Sequence, residues 1–284
     1  MTITALGLLH PGEMGVTVGS AARASGLPVR VALVGRSEAT RTRAREAGLE
    51  DLGSLADLVA ACDGIVCVCP PHAAREMAVA VLALGYDGLY LDANAVAPST
   101  MRELAALFRG AAGGARLVDG GLIGPPAQTS GTTRLYLSGP DAPAFAPCFR
   151  EGALAATPVE GPLGAASALK MSYAAWTKGS AALLAAVVAV AEEEQVAGPL
   201  REEWRLSQPQ LVERADLGLR GTARKAWRFE GEMLEIARTF AEAGLPAGFH
   251  EAAAEVYRRL APFKEADPLP PDQALRRAVR QRRG

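Results

Sequence analysis

The chain has 284 residues, of which 49% are hydrophobic and 21% are charged. This length suits two domains with separate cores, and the composition excludes a disordered or fibrous protein. The formal net charge of -1 creates no overall field that would attract nucleic acid or anionic lipid, so we expect neither a nucleic-acid partner nor a membrane partner.

The first half of the chain alternates short apolar segments with helical patterns. Some helices have recognisable ends, such as Gly26 after the first helix and Ser54 before a later one. Continuous apolar strands separated by helices indicate a parallel sheet that is covered on both faces and binds ligands at the carboxyl ends of its strands. The predicted strands are 3–9, 29–34, 64–69, 89–91, 116–119 and 133–137, and the predicted helices are 13–24, one through 58–61, 77–84 and one from Pro98.

The second half of the chain is predicted to be almost wholly helical. After a break at Gly161 and Pro162, residues 165–197 contain no proline and a single glycine, and the middle of this segment is apolar on most faces. A helix of this kind must be surrounded by other helices or by a second subunit. Further helical patterns occupy 225–242 and 251–260. The five arginines near the C-terminus indicate a solvated helix end or a frayed tail.

Together these patterns predict the α/β fold class. Residues 1–161 would form a doubly wound (Rossmann) parallel-sheet domain, and residues 162–284 an all-α domain for substrate binding and dimerisation, with a long interdomain helix joining the two. The longest apolar stretch, Ala181 to Ala191, is too short for a bilayer and is followed by three glutamates, so we interpret it as buried.

The cysteines and histidines show no metal-binding pattern. Cys67 and Cys69 lie in an apolar strand-like segment, and none of the three histidines clusters with them. We therefore expect no metal, free thiols and a reducing cytoplasm. The N-terminal segment also lacks the basic residues of a signal peptide.

A glycine-punctuated turn, Gly7 to Gly15 (GLLHPGEMG), follows the first predicted strand and opens the first helix. A phosphate chain can lie against backbone only where side chains are absent, and the amides at the start of a helix supply donors and a partial positive charge. The common dinucleotide pattern has a glycine where this chain has His10, so the match is imperfect. The residues of this turn that we predict to bind a dinucleotide are His10, Pro11, Gly12, Glu13 and Met14.

The residues after the second strand indicate which dinucleotide is bound. Proteins that bind NAD usually place an acid there, whereas this chain has Arg36, Ser37 and Arg41 in the run VGRSEATRTR. The planar fork of an arginine pairs with the oxygens of a 2′-phosphate, and a serine adds a hydroxyl. The pattern therefore favours NADP(H), although Glu38 weakens it. The alternative is that the arginines only solvate a helix.

Two further loops follow buried strands at the same predicted edge. Cys69, Pro70 and Pro71 form a rigid loop that would pass beside the cofactor, although a structural turn explains these residues equally well. Asn94 follows the next strand and can either hydrogen-bond the nicotinamide ribose or cap a loop. The sequence favours neither interpretation of Asn94.

The segment DGGLIGPP at 119–126 and the residue Lys170 are the candidates for substrate chemistry. The glycine-proline loop suits backbone contact with a small ligand, although plain turns have the same composition. Lys170 lies near the start of the long apolar helix, where burial would lower the pKa of its ammonium toward the range useful for proton transfer. The alternative is a lysine whose charged end reaches solvent.

These motifs resemble those of the β-hydroxyacid dehydrogenase superfamily, which includes 6-phosphogluconate and 3-hydroxyisobutyrate dehydrogenases. The matching features are the turn that ends Gly12-Glu13-Met14-Gly15, the loop after the sixth strand, and the stretch from Gly164 to Lys170 on the interdomain helix. The helical half, with KAWRFEGEMLEIARTF at 225–240, is similar to a subgroup of 6-phosphogluconate dehydrogenase-like oxidoreductases with a distinctive C-terminal helical domain.

The resemblance implies that Lys170 acts as general base on a substrate hydroxyl and as general acid in reduction. It also implies a substrate loop at Ile123-Gly124-Pro125, where the family has Ser-Gly-Gly and this chain lacks the hydroxyl. Tyr173 stands near the position of a family asparagine, and its phenol could donate to a carbonyl oxygen. A core tyrosine is the alternative.

The expected function is NADP-dependent transfer of a hydride between nicotinamide and a small-molecule alcohol or carbonyl, similar to a 3-hydroxy acid, with a lysine as general acid and base. One alternative is imine reductase or reductive aminase activity on the same architecture. Another is a non-catalytic NADPH-binding sensor or scaffold. We expect a homodimer, because the apolar interdomain helix needs a second surface to cover it.

Overall fold

The computed structural model describes residues 2–280, which form two compact units. The first unit ends at Met171 and the second begins at Ser172, so the division falls within the long helix Ala165–Glu193. The predicted division between residues 161 and 162 lies just before that helix. The first residues of the helix therefore pack with the sheet.

The first unit is built on one eight-stranded sheet. Its strands are β1 (Leu6–Leu9), β2 (Val29–Val31), β3 (Glu50–Asp51), β4 (Gly64–Cys67), β5 (Leu89–Asp92), β6 (Arg116–Ile123), β7 (Thr133–Ser138) and β8 (Leu154–Pro158). They lie in the order β3-β2-β1-β4-β5-β6-β7-β8; β1 to β6 are parallel, β7 is antiparallel to β6, and β8 is parallel to β7. The predicted doubly wound domain is confirmed.

Helices connect these strands, and several begin or end at the predicted residues. The helices are α1 (Glu13–Ala24), α2 (Glu38–Glu46), α3 (Leu55–Ala61), α4 (Ala74–Ala83), α5 (Pro98–Gly110) and α6 (Ala142–Phe145). Ser54 caps α3 by accepting a hydrogen bond from the Asp57 amide at 3.2 Å. Gly26, shortly after α1, has a φ of 88°, which glycine adopts without strain.

Both faces of the sheet are covered by apolar side chains. Val66 and Leu91 belong to one buried cluster, whereas their strand neighbours Cys67 and Tyr90 belong to the other. Successive strand residues point to opposite faces, so strands buried on both sides read as continuous apolar runs. A fully buried side chain of this size contributes about 1.5–3 kcal/mol to folding. This packing fixes the strand ends that carry the candidate site.

All regular structure in the described part of the second unit is helical. Besides the rest of α7 (Ala165–Glu193), it contains α8 (Ala197–Ser207), α9 (Pro209–Ala223), α10 (Ala226–Glu242), α11 (Gly248–Leu260) and α12 (Asp272–Arg280). The Phe229 ring of α10 meets the Tyr257 ring of α11 edge-on, with 5.3 Å between centroids. Tyr257 donates to the Lys178 carbonyl of α7 at 2.7 Å, and the Lys178 ammonium pairs with Glu232 of α10. These contacts hold α7 in the bundle.

The arginine-rich C-terminal segment is a packed helix as far as it is described, so the expectation of a frayed tail is wrong for α12. Leu275 and Val279 are buried, because apolar residues four positions apart share one face of the helix. Its arginines bind the end of α7 in the ion pairs Arg276–Glu192 and Arg280–Glu193. Arg282 and Arg283 lie outside the described residues.

Helix α7 is longer and less buried than its apolar centre suggests. Within residues 2–280 it is the one helix long and apolar enough to cross a membrane, and 33% of its most apolar window is buried. The interpretation of 181–191 as buried holds for the face that carries Val188 and Ala189, but it is wrong for the other face within the single chain, because Leu183, Val187 and Val190 are exposed. The alternative of cover by a second subunit remains.

Candidate active site

Five parallel strands end at one edge of the sheet, and a predicted site segment follows each of them. These strands are β1, β2, β4, β5 and β6. The chain continues from β1 to β2 on one side, while β4 occupies the other side of β1, so the strand order reverses there. In doubly wound sheets the crevice at this reversal receives the ligand.

The turn after β1 closes tightly on its own backbone. The Gly12 amide donates to the His10 carbonyl at 2.7 Å, and an added Cβ on Gly15 would lie 2.3 Å from that same oxygen. Position 15 therefore requires glycine. A Cβ on Gly12 would meet no atom within 4 Å, and no side chain caps α1. The N-terminus of α1 is thus open to an anion.

His10 adopts a left-handed backbone in this turn, with a φ of 62°. That conformation costs a non-glycine residue about 1–2 kcal/mol. Nδ1 of the imidazole is shielded from solvent and has no hydrogen-bond partner among the described residues, whereas Nε2 is not among the atoms that are both shielded and unpartnered. Burial, and secondarily the charge of Arg36, lowers the pKa of His10 to about 4. The ring is therefore neutral at pH 7.

The basic residues after β2 surround the start of α2. Arg36 is half-buried, and its carbonyl accepts a hydrogen bond from Arg41 Nε at 3.1 Å. Ser37 caps α2, with its hydroxyl 3.4 Å from the Thr40 amide. Arg43 donates to the Pro11 carbonyl at 3.4 Å and so joins α2 to the glycine turn. The sequence interpretation did not single out Arg43, although it ends the same basic run.

Asn94 joins the ends of β4 and β5. Its Oδ1 accepts from the Cys69 amide at 2.5 Å, and its Nδ2 donates to Asp92 at 2.9 Å. Burial raises the pKa of Asp92 to about 7, although the hydrogen bonds from Asn94 oppose that shift. The side-chain amide of Asn94 thus holds the loop that continues into Pro70 and Pro71. This is the role expected if Asn94 caps a loop. A contact between Asn94 and a ribose stays a prediction.

Lys170 lies beside the end of β6. An added Cβ on Gly121 would be 3.2 Å from Lys170 Cβ and 2.6 Å from the Ala166 carbonyl, so the glycine lets α7 pass close to the strand. Since β6 ends at Ile123, the lysine lies near the start of the candidate substrate loop. Lys170 is half-buried. Its environment is therefore intermediate between the buried ammonium and the solvent-reaching lysine that the sequence left as alternatives.

The candidate substrate loop turns sharply at Gly124. This residue has a φ of 128°, and an added Cβ would lie 2.3 Å from the Thr132 carbonyl. Glycine is therefore needed here for the turn itself. Ile123 is buried as the last residue of β6, whereas Pro125 is exposed. The loop thus presents mainly backbone rather than a polar side chain.

Two threonines that the sequence interpretation missed hold this loop in place. Thr133 Oγ1 donates to the Pro125 carbonyl at 2.6 Å. Thr17 Oγ1 of α1 accepts from the Ala127 amide at 2.9 Å, which ties the helix of the glycine turn to the segment after β6. No local sequence signal could reveal the second contact, because its partners are far apart in the chain.

Asp119, buried in β6, anchors the start of α7. Its carboxylate accepts hydrogen bonds from the Ser138 hydroxyl at 2.7 Å, from the Gly164 and Ser167 amides at 3.1 and 3.0 Å, and from the Ser167 hydroxyl at 2.6 Å. These bonds satisfy amides that a helix start leaves unpaired, and negative charge is favourable there. Because Lys170 lies on the next turn, Asp119 fixes its position.

Tyr173 lies on α7 one turn after Lys170 and is 47% exposed. It is therefore not a core tyrosine of the single chain. Its proposed contact with substrate stays a prediction.

Residues 2–280 contain no group of three or more His, Cys, Asp and Glu side chains placed to hold a metal ion. The four cysteines are free thiols.

A family model described as a domain of unknown function, DUF1932, matches residues 191–260. No curated protein sequence matches the chain significantly. Among solved structures, the conserved protein MTH1747 of unknown function, reported to be similar to 3-hydroxyacid dehydrogenases, has 26% identity and a TM-score of 0.67 over 92% of this chain and 100% of that one.

Two enzymes of known activity share the architecture. The 3-hydroxyisobutyrate dehydrogenase of Mycobacterium tuberculosis, solved with L-serine, has 18% identity and a TM-score of 0.67 over 99% of both chains. A reductive aminase from Aspergillus terreus, solved with NADPH and ethyl levulinate, has 19% identity and a TM-score of 0.56 over 98% of this chain and 99% of that one.

The fold and the arrangement at the sheet edge define a class of proteins in which a doubly wound dinucleotide-binding domain precedes a helical domain. Within that class the chain has the fold of the β-hydroxyacid dehydrogenases, and the resemblance seen in the sequence is confirmed.

Proposed function

We propose that this protein is an NADP-dependent oxidoreductase that uses Lys170 to transfer a proton to or from the oxygen of a small-molecule substrate. The observation that carries the proposal is the meeting of three features at one sheet edge: an uncapped glycine turn, a basic β2–α2 segment, and a half-buried lysine beside the end of β6.

The residues at this edge fit a phosphorylated dinucleotide. The open N-terminus of α1 suits a pyrophosphate, and Gly12 leaves space for its approach. Arg36, with Arg41 behind it, suits a 2′-phosphate, since an arginine fork pairs with two phosphate oxygens. Together with Arg43, these arginines place three positive charges around the β2–α2 loop, which favours NADP(H) over NAD.

When bound, the nicotinamide supplies or accepts the hydride. The protein must bind the substrate, orient it and handle the proton that accompanies the hydride. In reduction the Lys170 ammonium donates a proton to the carbonyl oxygen, and in oxidation the neutral amine accepts the proton of the hydroxyl. The backbone of the loop at Ile123-Gly124-Pro125 and the phenol of Tyr173 would contact the substrate.

The substrate class follows from what surrounds the lysine. A lysine suits proton transfer at a hydroxyl or carbonyl, which favours a compound similar to a 3-hydroxy acid. The buried Ile123, where the family has a serine, removes one polar anchor, so we expect a substrate with fewer polar groups than the usual hydroxyacid. Imine reduction is the second candidate, supported by the structural similarity to a reductive aminase. A non-catalytic NADPH-binding sensor or scaffold is the third.

The experiment is an NADPH-oxidation assay of the wild type and Lys170→Ala with panels of β-keto acids and cyclic imines. We expect turnover with a keto acid and a loss of about 10²- to 10⁴-fold in Lys170→Ala, with NADPH affinity nearly unchanged. Lys225→Ala, at an exposed position before α10, is the matched control and should keep full activity.

Each alternative has its own outcome in this experiment. Turnover of imines but not of keto acids would favour the reductive aminase reaction. Tight NADPH binding without turnover on either panel, and without any effect of Lys170→Ala, would favour the sensor.

The proposal includes a cytoplasmic homodimer. Exposed side chains, together with the partly buried Ser180, follow one line along α7 with alternating spacings of four and three residues, which is the spacing of a two-stranded coiled-coil seam. A second copy carries the same line, so two copies can cover each other about a twofold axis. The residues of this line, which we call the α7 stripe, are Leu169, Tyr173, Trp176, Ser180, Leu183, Val187 and Val190.

A further inference from the structure

The imidazole of His10 has no structural task in the turn that explains its presence. Glycine would adopt the φ of 62° without strain, yet this chain places a histidine there. Within the described residues Nδ1 makes no hydrogen bond although it is shielded from solvent, so the ring is held in place at a cost in free energy. Strained residues with unsatisfied polar groups concentrate at ligand sites.

We propose that His10 is a ligand for a phosphate group of the bound dinucleotide, and that its imidazole gains a proton when the phosphate binds. This proposal rests on the proposed function, since it requires a dinucleotide at the glycine turn. It adds a proton-linked regulation of cofactor affinity that the glycine pattern does not supply.

The location of the ring supports contact with a phosphate. His10 occupies the first glycine position of the dinucleotide pattern, which forms the tight turn, two residues before Gly12, where backbone can approach the pyrophosphate. Because Nδ1 is shielded, Nε2 is the nitrogen left to donate a hydrogen bond to a ligand. A neutral ring can donate through Nε2, and a protonated ring donates with the added strength of its charge.

The charges around the ring explain why a proton would arrive together with the ligand. Without a ligand, burial and the neighbouring Arg36 both oppose a second positive charge. A phosphate neutralises Arg36 and adds negative charge beside the imidazole, so one repulsion is removed and one attraction is gained. The charged or titratable groups of the neighbouring segments are Glu13 of α1, Arg36 after β2, Arg43 of α2, Cys69 after β4 and Asp92 at the end of β5.

The sign of the resulting pH dependence follows from linkage. A pKa of His10 that is higher in the complex than in the free protein means that binding takes up a proton. The affinity for the dinucleotide then increases as the pH falls through the pKa of the complex, and it levels off near pH 4, the free value. Over the window in between, the dissociation constant changes by up to about tenfold per pH unit.

The test is isothermal titration calorimetry of NADP⁺ and NAD⁺ at pH 6 and pH 8, in pairs of buffers that differ in ionisation enthalpy. The difference between buffers gives the number of protons taken up per cofactor bound. The 2′-phosphate of NADP⁺ has a pKa of about 6, so it can change its own protonation when it binds. The contribution of His10 is therefore taken as the difference between the wild type and His10→Gln, which keeps the size and polarity of the residue. The matched control is His72→Gln, because His72 is exposed in the loop after β4.

At pH 6 we expect the wild type and His72→Gln to take up more protons per cofactor bound than His10→Gln, with a difference that is a large fraction of one proton. The wild type and His72→Gln should also bind the cofactor more tightly than His10→Gln at pH 6, and this difference in affinity should be smaller at pH 8. The additional variant His10→Gly, which relieves the backbone strain, should be at least as stable as the wild type and should also lack the uptake. Uptake with both cofactors assigns the contact to the pyrophosphate, whereas uptake with NADP⁺ alone assigns it to the 2′-phosphate.

Equal proton uptake by the wild type and His10→Gln, with a dinucleotide bound to both, would overturn the role of His10 and leave the proposed function intact. Binding of neither dinucleotide to the wild type would overturn the proposed function, and the role of His10 with it.

Discussion

Asp119 shows how a single buried charge can control the position of a reactive group elsewhere. Its carboxylate accepts four hydrogen bonds from Ser138 of β7, from Gly164 just before α7 and from Ser167 of α7, and it is fully buried. A charge in this position is stable only because every donor is supplied. Since the same donors lie at the start of α7, Asp119 acts on Lys170 through the helix and does not touch the substrate.

We therefore expect Asp119→Asn to lower both stability and turnover. The amide keeps the shape of the side chain but places an N–H group against donors, so unfolding in urea should require about 2–4 kcal/mol less free energy. A displaced Lys170 should lower kcat more than it changes the affinity for NADPH. The control is Asp141→Asn, which removes a partly exposed ion pair with Arg116 and should cost less than about 1 kcal/mol. A normal kcat in Asp119→Asn would contradict the positioning role.

The sequence predicted residues at this scale where a local pattern carried the chemistry. The glycine turn, the basic run after β2 and Lys170 were all visible as short motifs. Thr17 and Ser138 were not, because their partners are brought to them only by the folded sheet. Asn94 could not be decided from sequence, since both interpretations require the same residue at the same strand end.

Among the secondary-structure elements, prediction succeeded where burial and capping agreed. Helix α1 begins and ends at the predicted residues, and β5 differs from its prediction by one residue. Strand β3 was missed because its two residues, Glu50 and Asp51, are exposed acids at the sheet edge without an apolar pattern. Strand β8 was missed because it is largely exposed as well. Edge strands of this kind depend on pairing with a neighbour rather than on their own composition.

The α7 stripe gives a prediction at the same scale. Leu183 is 64% exposed near the middle of the stripe, so Leu183→Glu would place two unpaired charges in the interface of a dimer. We expect dimerisation to weaken by roughly a hundredfold or more, which light scattering over a dilution series would detect. Leu206→Glu is the control, since Leu206 is 84% exposed on α8 and lies off the stripe. A wild-type protein that is monomeric at every concentration would exclude the dimer.

For the whole molecule, each unit has its own source of stability. The sheet unit relies on two apolar clusters, one on each face of the strands. The helical unit relies on helix contacts and on ion pairs such as Lys178–Glu232. The residues predicted to bind the dinucleotide all lie in the first unit, within segments that end or follow parallel strands. A dinucleotide should consequently stabilise the first unit directly.

Hydrogen exchange followed by mass spectrometry can test this distribution on the full chain. With saturating NADPH we expect slower exchange in peptides that cover the glycine turn, the β2–α2 segment and the loop from Cys69 to Pro71. The amides at the start of α1 should be protected most, because they are the donors that the proposed site offers to phosphate. Peptides from α10 and α11 serve as the internal reference.

With NAD⁺ at the same saturation, protection of the glycine turn should persist, whereas protection around Arg36 should be smaller, since no 2′-phosphate is present to bind it. Strong protection of α10 and α11 with an unchanged glycine turn would place the dinucleotide elsewhere and would contradict the proposed site.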